Sequence, residues 1–165
     1  MIRLLVTVFY VGFSPYAPGT IGSIVAILIG YWIQVIGGFP LLMSCVIVFF
    51  FVGWAFTDRY IKQTKASHDP QEIVIDEVVG QWVSYLPISF YIWKDQLTTV
   101  SLDWFNWVIA LILFRIFDIW KPWPVIWADR KDNSLGVMLD DVFAGIYAAI
   151  TVLVLKVITE LGGSL

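Results

Sequence analysis

The sequence predicts an all-α integral membrane fold, a compact bundle of about five transmembrane helices preceded by a short N-terminal interfacial or re-entrant helix. Composition points there first. Hydrophobic residues make up 59% of the 165-residue chain and charged residues only 14%, against about 45–50% apolar and ~25% charged in a soluble domain. Too few polar residues remain to cover a soluble surface. Mean hydropathy is +0.83, and the apolar residues gather in stretches that reach or approach the ~20 residues a helix needs to cross a ~30 Å hydrocarbon core. The length suits one membrane domain, residues 1–165, rather than two. Hydrophobicity excludes intrinsic disorder, a single cysteine excludes a disulfide scaffold, and a net charge of −3 argues against nucleic-acid binding.

Residues 1–20 form the interfacial or re-entrant segment. Met1–Phe13 is apolar but too short to cross, and with Arg3 alone and no small-residue cleavage site it does not read as a secretory signal. Pro15 and Pro18 break any continuous helix into the first span. The spans are residues 21–37, 39–56, 76–91, 104–120 and 137–158, with Gly37-Gly38-Phe39-Pro40 as a tight turn that makes the first two an antiparallel hairpin. Cytoplasmic loops are enriched in Lys and Arg. Starting the first span inside puts Arg3, Arg59, Lys62, Lys65, Lys121, Arg130 and Lys131 on the cytoplasmic side, against Lys94 and Lys156 on the other. Trp104 and Trp107 then belong to an outer aromatic belt, and Trp120, Trp123 and Trp127 to an inner one.

With that orientation the acids sort themselves. Asp95, Asp103 and Glu160 lie outside, whereas Asp58, Asp69, Glu72, Asp76, Glu77, Asp118, Asp129, Asp132, Asp140 and Asp141 lie at cytoplasmic span ends or loops. Carboxylates in spans are expensive and need a reason. Asp118 has Arg115 three residues before it and Lys121 three after, so a structural salt bridge accounts for it as well as a functional role does. Asp76, Glu77, Asp140 and Asp141 have no basic residue three or four positions away, and so require a cation from elsewhere in the fold or from solution. A hard divalent ion, Mg²⁺ above all, suits carboxylate oxygens; the alternative is a proton, as in transporter relays. A glycine follows each pair about one turn later, Gly80 and Gly145, and small residues let membrane helices approach closely. The third, fourth and fifth spans are therefore expected to bring their acidic ends together.

Ala17-Pro18-Gly19-Thr20-Ile21-Gly22-Ser23 enters the first span on the same side. Proline and glycines at a helix start leave backbone N–H groups outward, either as ordinary capping or as an anion cradle made of Gly19, Thr20, Gly22 and Ser23. Lys121, in Lys121-Pro122-Trp123-Pro124, either snorkels to headgroups or neutralises a bound phosphate; Arg130 and Lys131 read as headgroup contacts. Cys45 sits mid-span without a motif and His68 is the only histidine, so cysteine-nucleophile and two-histidine mechanisms are excluded. There is no Asp-x-Asp, P-loop or dinucleotide-binding glycine motif.

Four segments in order resemble the phosphatidylglycerophosphatase A family: the Ala17–Ser23 turn, Asp69-Pro70-Gln71-Glu72-Ile73-Val74-Ile75-Asp76-Glu77-Val78-Val79-Gly80, Phe114-Arg115-Ile116-Phe117-Asp118-Ile119-Trp120-Lys121-Pro122-Trp123-Pro124, and Gly136-Val137-Met138-Leu139-Asp140-Asp141-Val142-Phe143-Ala144-Gly145. The resemblance implies a multi-pass enzyme of the bacterial inner membrane whose site faces the cytoplasm. It implies Mg²⁺ dependence and removal of the terminal phosphate of phosphatidylglycerophosphate; the expected partner is the phospholipid substrate, and no obligate protein partner is predicted. It places the motif acids on Asp76, Glu77, Asp118, Asp140 and Asp141 as metal ligands and the motif lysine on Lys121. Glu77 or Asp69 is then expected as proton acceptor, and Arg115 and Lys121 beside the Gly19–Ser23 turn as phosphate contacts. The loop Asp132-Asn133-Ser134-Leu135-Gly136 departs from the pattern, where a glycine pair is expected. The competing reading is a small proton- or cation-coupled transporter using the same acids, which calls for acids nearer the midplane.

Overall fold

The computed structural model describes residues 1–65, 70–94 and 104–162. Among them all regular secondary structure is helical: α1 Ile2–Val6, α2 Pro18–Thr64, α3 Ile75–Lys94, α4 Trp104–Trp120, α5 Val125–Asp129 and α6 Ser134–Gly162, with one 3₁₀ turn at Val11–Phe13. α2 reverses direction at Gly38, whose φ of 59° and ψ of −154° suit a residue without Cβ. Pro40 follows at the start of the second arm, where a missing N–H loses no helical bond. The arms are antiparallel, since Gly22 of the first and Gly53 of the second pack on neighbouring residues, Val74 and Ile75. Ala26 and Phe49 likewise both meet Trp82. This is the expected hairpin.

α3 is the hub, packed against α2, α4 and α6. Trp82, Tyr85, Val78 and Val79 are buried on it, and so are Gln81, Ser84 and Ser89. The polar groups are tolerated because they bond internally: Gln81 Nε2 donates to Ser84 Oγ (3.1 Å) and Ser89 Oγ to Gln34 Oε1. Trp82 Nε1 donates to the Ala26 carbonyl (2.8 Å), tying α3 to the first arm of α2. Around this hub the outer surface is apolar, with Trp32, Ile36, Phe51, Phe105, Ile119 and Ile150 all exposed. A surface of that kind is suited to lipid rather than water. Among the described residues two segments, Pro18–Thr64 and Ser134–Ile158, are long and apolar enough to cross a membrane.

Several expectations shift. Trp107 is not a belt residue: it is 1% exposed and stacked on Tyr85 with ring centroids 3.5 Å apart, because α4 turns that face onto α3. Trp120, Trp123 and Trp127 are exposed as a belt requires. The second arm of α2 outruns the apolar stretch to Thr64, supported past Phe56 by the i,i+4 pair Asp58–Lys62 at 2.7 Å. The short helix α5 in the link between α4 and α6 carries no period long enough to be read from sequence. The N-terminal segment packs on the approach to α3: the Val74 N–H donates to the Val6 carbonyl (2.9 Å), and Val6 and Thr7 are fully buried. At the departing loop, Asn133 replaces the expected glycine with a cap, its Oδ1 accepting from the Gly136 N–H at 2.9 Å as α6 begins.

Candidate active site

The acids meet because two glycines let two helices touch. A Cβ on Gly80 would lie 2.6 Å from the Phe114 ring and 2.7 Å from the Asp141 carbonyl, and one on Gly145 would overlap the Gly80 carbonyl. α3 and α6 therefore cross backbone to backbone at these residues. Asp76 and Glu77 stand one turn before the crossing on α3, in its first turn, and Asp140 and Asp141 stand one turn before it on α6. α4, whose Phe114 fills the same junction, delivers Asp118 near its C-terminal end. The approach expected from the glycine spacing is what the fold contains.

Carboxylate oxygens of Asp76, Glu77 and Asp141 lie within 4.8 Å of one another, and so do those of Asp118, Asp140 and Asp141. Asp141 is common to both groups. Asp76 Oδ1 accepts from the Glu77 N–H and Asp140 Oδ1 from the Asp141 N–H, both at 3.0 Å, so in each pair the first acid braces the backbone of the second. The pairs are used unequally, as adjacent positions ~100° apart on a helix allow. Glu77 Oε2 is buried without a hydrogen-bond partner. A cavity of about 650 Å³ opens over the cluster, walled by all five acids together with Gly19, Arg115 and Lys121.

Two cations stand against these acids. Arg115 Nη1 is 2.8 Å from Asp118 Oδ2, the pairing expected at i,i+3. Lys121 does not pair with Asp118 in the same way; it holds Asp140 Oδ2 at 3.0 Å and Asp129 Oδ1. The reason is local. Lys121 has φ 49°, so the helix has ended and i,i+3 geometry no longer applies. Burial opposes its charge, but the Asp129 hydrogen bond and then Asp140 outweigh it and hold the amine above the ordinary lysine range. The Tyr147 hydroxyl donates to the Trp123 carbonyl (2.7 Å), fastening this turn to α6.

Of the expected phosphate contacts, Gly19, Arg115 and Lys121 reach the cavity wall. Gly22 instead packs against Val74, and Ser23 is buried with its Oγ donating back to the Gly19 carbonyl at 2.9 Å. Thr20 faces a neighbouring apolar groove. Once α2 starts at Pro18, only its first residues face the cavity; the rest have turned into the bundle. Asp69 lies outside the described residues. Sequence reasoning missed Gln71, Ser14 and Pro15, which also wall the cavity, and Asp129, whose link to Lys121 has no periodic signature. Gln71 could have been found, since it sits inside the second motif.

The donor set is all oxygen, buried and rich in negative charge, which fits a hard divalent cation far better than a nitrogen- or sulfur-seeking one. The model of the family described as Phosphatidylglycerophosphatase A matches residues 4–156. The chain belongs to this family. It is accordingly a phosphatase acting on a phosphomonoester. The phosphatidylglycerophosphatase A of Escherichia coli (strain K12) is 33% identical over 149 residues, covering 89% of this chain and 78% of the relative. That of Haemophilus influenzae is 33% identical over 157 residues, covering 94% and 88%. A Bacteroides thetaiotaomicron protein provisionally named a phosphatidylinositol-3-phosphatase is 36% identical over 159 residues, covering 93% and 92%. No solved structure matches the chain.

Proposed function

We propose that this protein is a Mg²⁺-dependent lipid phosphatase that removes the terminal phosphomonoester of phosphatidylglycerophosphate, giving phosphatidylglycerol and phosphate. It does so from a bundle of five membrane spans, counting the two arms of α2, α3, α4 and α6, in the bacterial inner membrane with the cavity facing the cytoplasm. The observation that carries the reading is the convergence of Asp76, Glu77, Asp118, Asp140 and Asp141 under one cavity in a chain of this family. The side of the membrane is argued from Arg3, Lys121, Arg130 and Lys131 at the cavity end.

The five carboxylates would hold the metal. When bound, such an ion offsets charge on phosphoryl oxygens and acidifies a water ligand. The chain's own groups do the rest. Lys121 and Arg115 stand at the cavity wall as fixed cations for the phosphates of the lipid, and Lys121 orients the non-bridging oxygens of the terminal one, the positioning that phosphoryl transfer rewards. Lys121 remains protonated and acts as a charge, not as an acid. Gly19 lacks a side chain where a Cβ would meet Glu77 Oε1 at 2.3 Å and Arg115 Nη1 at 3.2 Å, which lets the Glu77 carboxylate and the guanidinium sit against the first turn of α2. The attacking water gives its proton to a carboxylate oxygen not engaged in holding the metal, Glu77 Oε2 or Asp69, as the bond from phosphorus to the glycerol oxygen breaks, and that oxygen leaves as a hydroxyl by taking up a proton from water. Asp129 and Asp140 hold the Lys121 amine in place.

The test is phosphate release by purified protein from phosphatidylglycerophosphate and, given the Bacteroides relative, from phosphatidylinositol 3-phosphate, each with and without EDTA. Release from the first substrate that stops in chelator and returns with Mg²⁺ is expected. Undiminished turnover in chelator sinks the metal; preference for the inositol lipid reassigns the substrate; no release from any lipid phosphate returns the acids to a transport role.

A further inference from the structure

Beside the acidic cavity lies a second depression of about 670 Å³, lined by Leu111, Ile112, Ile116 and Trp120 of α4 and Thr20 of α2. Its lining is apolar apart from Thr20 and Arg115. Arg115 and Ile119 line both this groove and the acidic cavity, so the two spaces share a wall. From Trp120 to Leu111 the groove follows α4 for about 14 Å, away from the acidic end and into the apolar part of the bundle. Ile112 and Ile116 are 53% and 48% exposed, and their side chains point outward into the groove.

The junction carries an independent mark. Arg115 Nε is buried and has no hydrogen-bond partner, while Nη1 is held by Asp118 Oδ2 at 2.8 Å. A buried guanidinium donor without an acceptor costs free energy, and Nε points to an anionic oxygen as its missing partner. We infer that the groove between the first turn of α2 and the Leu111–Trp120 face of α4 seats an acyl chain of the lipid substrate, with Arg115 at its mouth bound to the phosphodiester that joins the diacylglycerol to the headgroup. The inference rests on the lipid phosphatase reading above and adds the path by which the substrate lies. One molecule then spans both spaces: chain in the groove, phosphodiester at Arg115, terminal phosphate over the acids. The substrate enters sideways between α2 and α4 without leaving the bilayer, and the apolar contact contributes to recognition in proportion to the area it covers.

Filling the groove tests it. Ile112→Trp and Ile116→Trp, both at outward-facing positions, are assayed in mixed micelles against long-chain phosphatidylglycerophosphate and against a short-chain, water-soluble analogue with the same headgroup. The expected result is a fall in long-chain kcat/KM relative to short-chain kcat/KM on the order of tenfold, the factor that ~1.4 kcal/mol of transition-state binding carries. Ile150→Trp, an equally exposed position on α6 outside both spaces, should leave that ratio at the wild-type value. Short-chain turnover also reports that each variant is folded. Equal losses on both substrates, or no change on either, overturn the groove while leaving the phosphatase reading standing. Wild-type protein that hydrolyses neither substrate overturns both.

Discussion

Asp141 is the residue on which the two acidic groups overlap, being within carboxylate reach of Asp76 and Glu77 on one side and of Asp118 and Asp140 on the other. With no cation between them these groups repel, so Asp141→Asn removes repulsion as well as a ligand. On the proposed mechanism kcat/KM falls by about 10²–10³-fold, the scale on which a charge-stabilising group in a closed site acts. The same variant in EDTA should unfold at a temperature equal to or above that of the wild type, and the stabilisation that wild-type protein gains from added Mg²⁺ should be largely lost. Thermal unfolding in detergent separates these outcomes. Lys121 is the opposite case. Lys121→Met leaves Asp129 and Asp140 without their shared cation; the amine is partly exposed, which screens the pair, so the loss is roughly 1–2 kcal/mol. Because Lys121 is held above the ordinary lysine value of 10.5, its contribution is complete below that pH and is lost as pH rises through the higher folded value. The gap in melting temperature between wild type and Lys121→Met should be flat from neutrality upward and narrow only above pH 10.5. That Lys121 belongs to this cluster was legible from its motif. Its partners were not, because a left-handed residue after the helix end aims the side chain away from the face that periodicity assigned to it.

At the scale of elements, the crossing of α3 and α6 decides whether the acids converge. Gly80→Ala forces a methyl group against the Asp141 carbonyl and the Phe114 ring and Gly145→Ala forces one against the Gly80 carbonyl, and neither α3 nor α6 can give way without moving its acids. Each should destabilise by about 1–3 kcal/mol, as overpacking does. Activity should fall even at temperatures where the variants remain folded; unchanged activity in a folded Gly145→Ala protein would show that the crossing does not position the site. Gly19→Ala tests a milder contact, since the would-be Cβ meets the ends of the Glu77 and Arg115 side chains, which can move. It should raise KM with little change in melting temperature. The sequence pattern of acid pair plus glycine made the crossing foreseeable, and Gly38 with Pro40 made the hairpin foreseeable. Helix ends were less legible: α2 and α6 run past their apolar stretches because Asp58–Lys62 and Asn133 support polar turns that hydropathy does not see.

For the molecule as a whole, an apolar exterior around a polar-tolerant hub suits a lipid surrounding, and on the proposed reading the chain should stay in the membrane pellet through an alkaline carbonate wash and be released by detergent. Recovery in the carbonate supernatant would contradict the reading of exposed residues such as Phe105, Ile119 and Trp120. Composition by itself pointed to a membrane association, since 14% charge cannot clothe a soluble surface, span-length apolar stretches pointed to helices, and the motifs determined the family and which acids to watch. What only the tertiary structure decided is who faces whom. Trp107 went to the core and not to an interface, Gly22 and Ser23 into packing and not to the cavity, and Lys121 to Asp129 and Asp140 and not to Asp118. The physical reason is that hydropathy and periodicity report a residue's own helix face, whereas a site is made where faces of different helices meet, and that depends on crossing points and helix ends.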